Sequence, residues 1–183
     1  MSSVPRPTVR TTTYRSNVIP AAGLVIEAWS DFDRVVDGVS AEEAVRNPEG
    51  QSSIAWTLGH VTEHVDRMVN HGLRGRDRHA FLGADRFRMG SAGVADDWDP
   101  IVAATKEIRG AALRYLETLT EADLDRRFDS PGAITKRLGP ITVRYALYRI
   151  AAHHYFHIGV IACQRDLRGE SVGDYPGFMT KAN

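Results

Sequence analysis

The sequence predicts an all-α fold, a four-helix bundle with long connections and an extended C-terminal tail. Four long stretches carry apolar residues at the spacing of a helix face. No segment shows the apolar–polar alternation of a half-buried strand. The length of 183 residues, with 43% hydrophobic and 25% charged side chains, fits one soluble domain over residues 1–183 with a sizeable core.

The first helix is expected from Val18 to Val36, with Leu24, Ala28, Phe32 and Val35/Val36 at helical spacing and Pro20 in its first turn. Gly38 ends it, and Ser40-Ala41-Glu42-Glu43 has the capping-box form for a short helix that follows. Asn47-Pro48-Glu49-Gly50 reads as a turn. The second helix begins near Ser52 or Ser53 and runs to about Leu73, with Ile54, Leu58, Val61, Val65 and Met68/Val69 as its core stripe. The connection from Arg74 to Ala95 is long for a bundle, and loops of that length are often functional or ordered against the domain. The third helix starts between Asp97 and Pro100 and carries Ile101, Ala104, Ile108, Ala112, Tyr115 and Leu119. Thr120 to Asp123 caps a short helix ending near Phe128, and Asp129 to Pro140 is an irregular link. The fourth and most apolar helix spans about Ile141 to Arg168. Gly169 to Asn183 reads as an extended strap over the domain.

Charge excludes little but directs attention away from polyanions. There are 23 basic and 23 acidic residues, so bulk electrostatics favours neither nucleic acid nor an anionic membrane. No uninterrupted apolar segment is long enough to span a bilayer, and the polar start, Met1 to Thr13, lacks a signal core, so the expected location is cytoplasmic. The lone cysteine, Cys163, permits no intramolecular disulfide, and its apolar neighbours predict a small buried hydrophobe.

The most informative segment is His153-His154-Tyr155-Phe156-His157, inside the apolar run from Val143 to Leu167. At ~100° per residue, His153 and His157 lie ~40° apart on one face and one turn apart, a spacing at which two imidazoles can share a metal ion. Apolar side chains occupy most of the circumference, which predicts a helix buried on most sides. Arg149, His153, His157 and Gln164 form one narrow polar stripe on it. Buried polar groups need partners, and a metal would supply one. The same stripe is also what the solvent-facing strip of such a helix looks like, with His154 a surface or hydrogen-bonded residue.

The second helix offers a third ligand in His60 or His64, again one turn apart, so spacing does not choose between them. Both lie well off the core stripe, at ~140° and ~100°, on a side shared by Glu63, Arg67 and His71. That side reads either as a solvated face or as the wall of a pocket between helices, and Trp56 on the same side favours a covered surface. Glu63 there either orients a ligand, accepts a proton or is simply solvated.

Two segments resemble a known family. Ser53-Ile54-Ala55-Trp56-Thr57-Leu58-Gly59-His60-Val61 is similar to the helix-two signature of the DinB/YfiT-like superfamily, and His153-His154-Tyr155-Phe156-His157-Ile158-Gly159 is similar to its second signature. The resemblance covers nearly the whole chain in helix order. It implies a four-helix bundle binding a divalent metal through three histidines, which map onto His60, His153 and His157; His64 and His154 match no ligand position. A glutamine common in the family near position 161 is Ile161 here, so Gln164 inherits no role.

Three neutral imidazoles leave coordination positions open, as in catalytic zinc sites, though imidazole suits nickel and iron as well. Zn²⁺ is the first expectation, with Ni²⁺ or Fe²⁺ as alternatives. The resemblance implies a transferase or isomerase that uses a low-molecular-weight thiol, and 20 Arg against three Lys suggests GC-rich coding and hence mycothiol. Arg149, one turn before His153, is placed to pair with an anionic substrate. A metal-dependent hydrolase, lyase or cyclase on a small metabolite is the second reading. The third is a non-catalytic metal-binding stress protein, with a homodimer through an exposed helix face as its assembly.

Overall fold

Pro20 begins α1 (Pro20–Val35), where its missing N–H removes no helical hydrogen bond. The buried face of α1 runs through Val25, Ile26, Trp29, Phe32 and Val35, while Leu24 is partly exposed, so the stripe is rotated from the expected one. The computed structural model describes residues 18–48, 50–130, 133–170 and 172. Gly38, at φ 75°, turns the chain into α2 (Ala41–Val45), whose first turn is capped by Ser40 Oγ accepting the Glu43 N–H at 3.1 Å. The Gln51 N–H donates to the Pro48 carbonyl at 2.9 Å and closes the next turn.

The central helix, α3 (Ile54–Val65), begins where Ser53 Oγ accepts the Trp56 N–H at 3.1 Å. It continues as a wider π-helical run, Asp66–Leu73, so the second expected helix is one helical path with a change of winding. Buried Asp66 accepts from the Asn70 side chain at 3.2 Å and from the His79 backbone N–H at 2.8 Å. That second bond ties the start of the long connection to the helix. The connection then lies against α3 rather than trailing in solvent, with Leu82 and Phe87 wholly buried and a single 3₁₀ turn at Asp85–Phe87.

Helix α4 (Trp98–Leu116) leads to a 3₁₀ turn, Glu121–Asp125, in which Thr120 and Asp123 cap each other reciprocally. The short strand β1 (Arg127–Phe128) pairs antiparallel with β2 (Ile141–Thr142), setting Arg127 opposite Thr142 and Phe128 opposite Ile141. No strand was expected here, because two residues are too few to show a period. Within the expected irregular link lies α5 (Ala133–Leu138). Thr142 caps α6 (Val143–Asp166) by accepting the Tyr145 N–H at 3.2 Å.

The four long helices form an all-α bundle in which α1 packs on α6, α3 packs on α4, and α3 joins α6. Every residue of α3 is buried, because α4, α6 and the long connection enclose it together. The solvated-face reading of His60, Glu63 and His64 therefore fails, and the covered reading holds. Helix α6 departs from expectation in the opposite sense. With α1 and α3 as its long-helix neighbours, it keeps an outer face, where Tyr145, Tyr148, Arg149, Phe156 and Leu167 are exposed. Cys163 lies on that face and is exposed, so it is not the buried hydrophobe its neighbours suggested. No helix among the described residues is long and apolar enough to cross a membrane. The polar start and the proposed strap beyond Glu170 lie outside the described residues, except for Val172.

Candidate metal centre

The join between α3 and α6 brings together His60, His153 and His157, whose candidate ligand atoms all lie within 4.8 Å of one another. His60 is buried and the other two are half-buried. The i, i+4 pair on α6 points both imidazoles at α3, with ring centroids 4.7 Å apart, and the His60 ring meets them edge-on at 4.9 and 5.2 Å.

Hydrogen bonds select the ring nitrogens available for coordination. His60 Nδ1 lies 2.7 Å from the Phe87 carbonyl oxygen. A carbonyl only accepts, so Nδ1 carries the hydrogen and the neutral ring keeps its lone pair on Nε2. This is the arrangement by which ligating histidines are commonly oriented. The indole of Trp56, one turn before His60, stacks on its ring at 4.6 Å and 11°. The Trp56 Nε1–H donates to the Arg86 carbonyl at 2.6 Å. Two successive carbonyls of the 85–87 turn thus accept from two successive turns of α3.

His153 is oriented from α3 as well. Its Nδ1 lies 2.9 Å from Nδ1 of His64, a buried residue one turn beyond His60. One nitrogen donates and the other accepts. His153 keeps a free Nε2 lone pair only when its own Nδ1–H is the donor. That Nε2 lies 3.2 Å from Nε2 of His157. Two nitrogens at ~2.0–2.1 Å from a tetrahedral ion stand ~3.3 Å apart, so this spacing fits a shared ion.

All three rings are held neutral, the form that binds a metal. Burial pushes the His153 pKa down to about 2, with the neighbouring His157 and His60 adding to the effect. Burial, then proximity to His60, lowers His157 to about 4. Burial also lowers His60, against an opposing contribution from the Phe87 carbonyl. His64 is lowered well below the ordinary range by burial and then by His153.

The other polar residues singled out in the sequence take different places. Arg149 is exposed on α6, one turn before His153 and near enough for its charge to contribute to the low His153 pKa. Gln164 is buried away from the cluster, donating to Gln51 Oε1 at 2.8 Å and to the Ser52 carbonyl at 3.1 Å, so it ties α6 to the segment leading into α3. Glu63 is not solvated: it is buried and paired with Arg78 and, at 3.3 Å, with Arg67, and its charge opposes the lowering of the His60 pKa by burial. His154 is wholly buried on the flank of α6 turned toward α1, ~100° round the helix from His153 and ~60° from His157, its ring edge-on to Phe32 at 5.9 Å. The orienting Phe87 carbonyl is absent from the sequence reading because every residue has a carbonyl. Its role depends on which one the fold delivers.

The profile of the DinB superfamily matches residues 25–161, a span that includes α3 and all three histidines. No curated protein matches the chain. The expected resemblance holds, and the chain belongs to the DinB superfamily.

Proposed function

We propose that this member of the DinB superfamily is a metal-dependent enzyme acting on a small molecule, with His60, His153 and His157 holding one divalent ion, Zn²⁺ first among the candidates. The observation that carries this reading is the three-imidazole cluster itself, with two hydrogen-bond partners that orient its rings. A neutral His₃ donor set supplies, when loaded, a Lewis acid with at least one position left for a substrate or cosubstrate atom. Around it, the chain's own groups divide the remaining work. The Phe87 carbonyl and His64 hold the imidazoles, and Trp56 seals the His60 side from water. Arg149, exposed beside His153, binds an anionic group of the substrate.

The reaction class proposed is transfer to, or isomerisation assisted by, a low-molecular-weight thiol, with mycothiol favoured by the Arg-rich composition. Supporting this, Cys163 is not in the cluster. It is six residues beyond His157 and so about 9 Å further along α6, turned ~120° away. A sulfur nucleophile must then come from a cosubstrate. Titration of the Zn²⁺-loaded and metal-free protein with mycothiol tests both levels. Binding that requires the metal supports the thiol reading. Metal binding with no affinity for mycothiol, bacillithiol or glutathione would shift the reaction to a hydrolase or lyase, and failure to bind any divalent ion would remove the site.

A further inference from the structure

Gly59 immediately precedes His60 in the middle of α3, where glycine weakens a helix relative to alanine. Its φ is not positive, so backbone conformation does not require it. The space beside it does. A Cβ at this position would stand 2.5 Å from Phe87 Cδ1, closer still to Cε1 and 3.2 Å from Cζ. The ring cannot simply swing aside. Phe87 is wholly buried, tilted against Phe81 at 5.9 Å, with the Arg86 guanidinium 4.8 Å from its centroid. The same residue carries the carbonyl that accepts from His60 Nδ1 at 2.7 Å. Ring contact at Gly59 and carbonyl contact at His60 are therefore two ends of one rigid residue.

We infer that Gly59 is a positioning residue for the metal centre: its missing side chain lets Phe87 dock against α3 so that the Phe87 carbonyl fixes the His60 tautomer. A methyl group at 59 lifts Phe87, lengthens or breaks the bond to His60, and frees the ring to rotate or to move its hydrogen to Nε2. Orienting partners of this kind typically change metal affinity about 10–100-fold. The inference rests on the metal-binding reading for its consequence, but the tautomer can be read without any metal.

The test compares wild type, Gly59→Ala and the double variant Gly59→Ala/Phe87→Val, in which the obstructing ring is shortened while the backbone carbonyl is retained. Long-range ¹H–¹⁵N spectra of the metal-free protein report the His60 tautomer, and competition with a chromophoric chelator reports Zn²⁺ affinity. Wild type is expected to show the Nδ1–H form. Gly59→Ala is expected to lose that signature and bind Zn²⁺ at least about tenfold more weakly, and the double variant to recover most of both. An Nε2–H tautomer in wild type overturns the inference even if neither variant folds. So does a Gly59→Ala protein with unchanged tautomer and affinity, or a folded double variant no better than the single one. Wild type that shows the Nδ1–H form yet binds no Zn²⁺ removes the metal reading while leaving the positioning role intact.

Discussion

His153 and His154 are chain neighbours on one helix, and the two sides of α6 they occupy behave differently. The side facing α3 collects imidazoles that answer one another: His153 meets His64 and His157, and His60 meets the Phe87 carbonyl. The side facing α1 encloses His154 completely, with Phe32 edge-on to its ring and no second imidazole among the ring contacts of the described residues. Among the described residues, His154 Nδ1 bonds to the Ile150 carbonyl of its own helix at 2.8 Å, and its Nε2 has no hydrogen-bond partner. Burial, then the Arg109 charge, lowers the His154 pKa to about 3. Arg109 itself pairs with Asp33 at 2.6 Å and lies over Phe32. Neutral imidazoles thus occur on both sides, but only one side converges their lone pairs. Low basicity does not by itself make a candidate metal site; convergence does.

The largest effect that would break this contrast comes from the ligands. His60→Ala, His153→Ala and His157→Ala are each expected to abolish stoichiometric Zn²⁺ binding, measured by elemental analysis after dialysis, because a three-ligand site tolerates loss of a ligand poorly. Full metal occupancy in any folded variant would show that the cluster is misassigned. Next comes His64→Ala, which removes the acceptor for His153 Nδ1–H but no ligand. Zn²⁺ affinity should fall about 10–100-fold, with one ion still bound at saturation. Complete loss in His64→Ala with full retention in His60→Ala would place the third ligand one turn further along α3.

Acid should act on both sides together. An unfolded imidazole near 6.5 takes up a proton that the folded His157, at about 4, and His154, at about 3, refuse. The unfolded state then binds more protons, so the stability of the metal-free protein is fully present above about pH 6.5 and falls as pH drops through that window toward 4 and then 3. For wholly buried His154 the slope is ~1.4 kcal/mol per pH unit. Urea unfolding at pH 7.5, 6 and 5 measures it, and a flat midpoint would contradict the buried neutral state. The smallest effect sharpens the comparison. His154→Leu removes an unpartnered buried nitrogen, so Zn²⁺ affinity should stay unchanged and the metal-free fold should gain ~1 kcal/mol. Weakened metal binding with an intact fold would tie His154 to the centre.

The sequence shows the long helices because each repeats apolar residues for several turns, and a long repeat survives small errors of phase. It does not show β1 and β2, the π-helical winding of 66–73 or α5, where short length or tertiary packing decides the geometry. The buried stripe of α1 shifted from Leu24 toward Val25 for a related reason: periodicity locates a face, and the neighbour chooses its centre. For the site, the His153–His157 pair was legible from local geometry, since one turn of helix dictates it. His60 was legible only through the family signature, because His64 sits at an equivalent spacing.

Helical periodicity, the i, i+4 histidine pair and membership of the superfamily follow from the order of residues alone, since each depends on near neighbours or on a short motif. The enclosure of α3, the outward turn of Cys163, and the choice of His64 and the Phe87 carbonyl as orienting partners do not. They link residues 27 and 89 positions apart, and such contacts exist only after the bundle closes and the long connection docks on α3. A backbone carbonyl has no identity in sequence; burial and distance supply it.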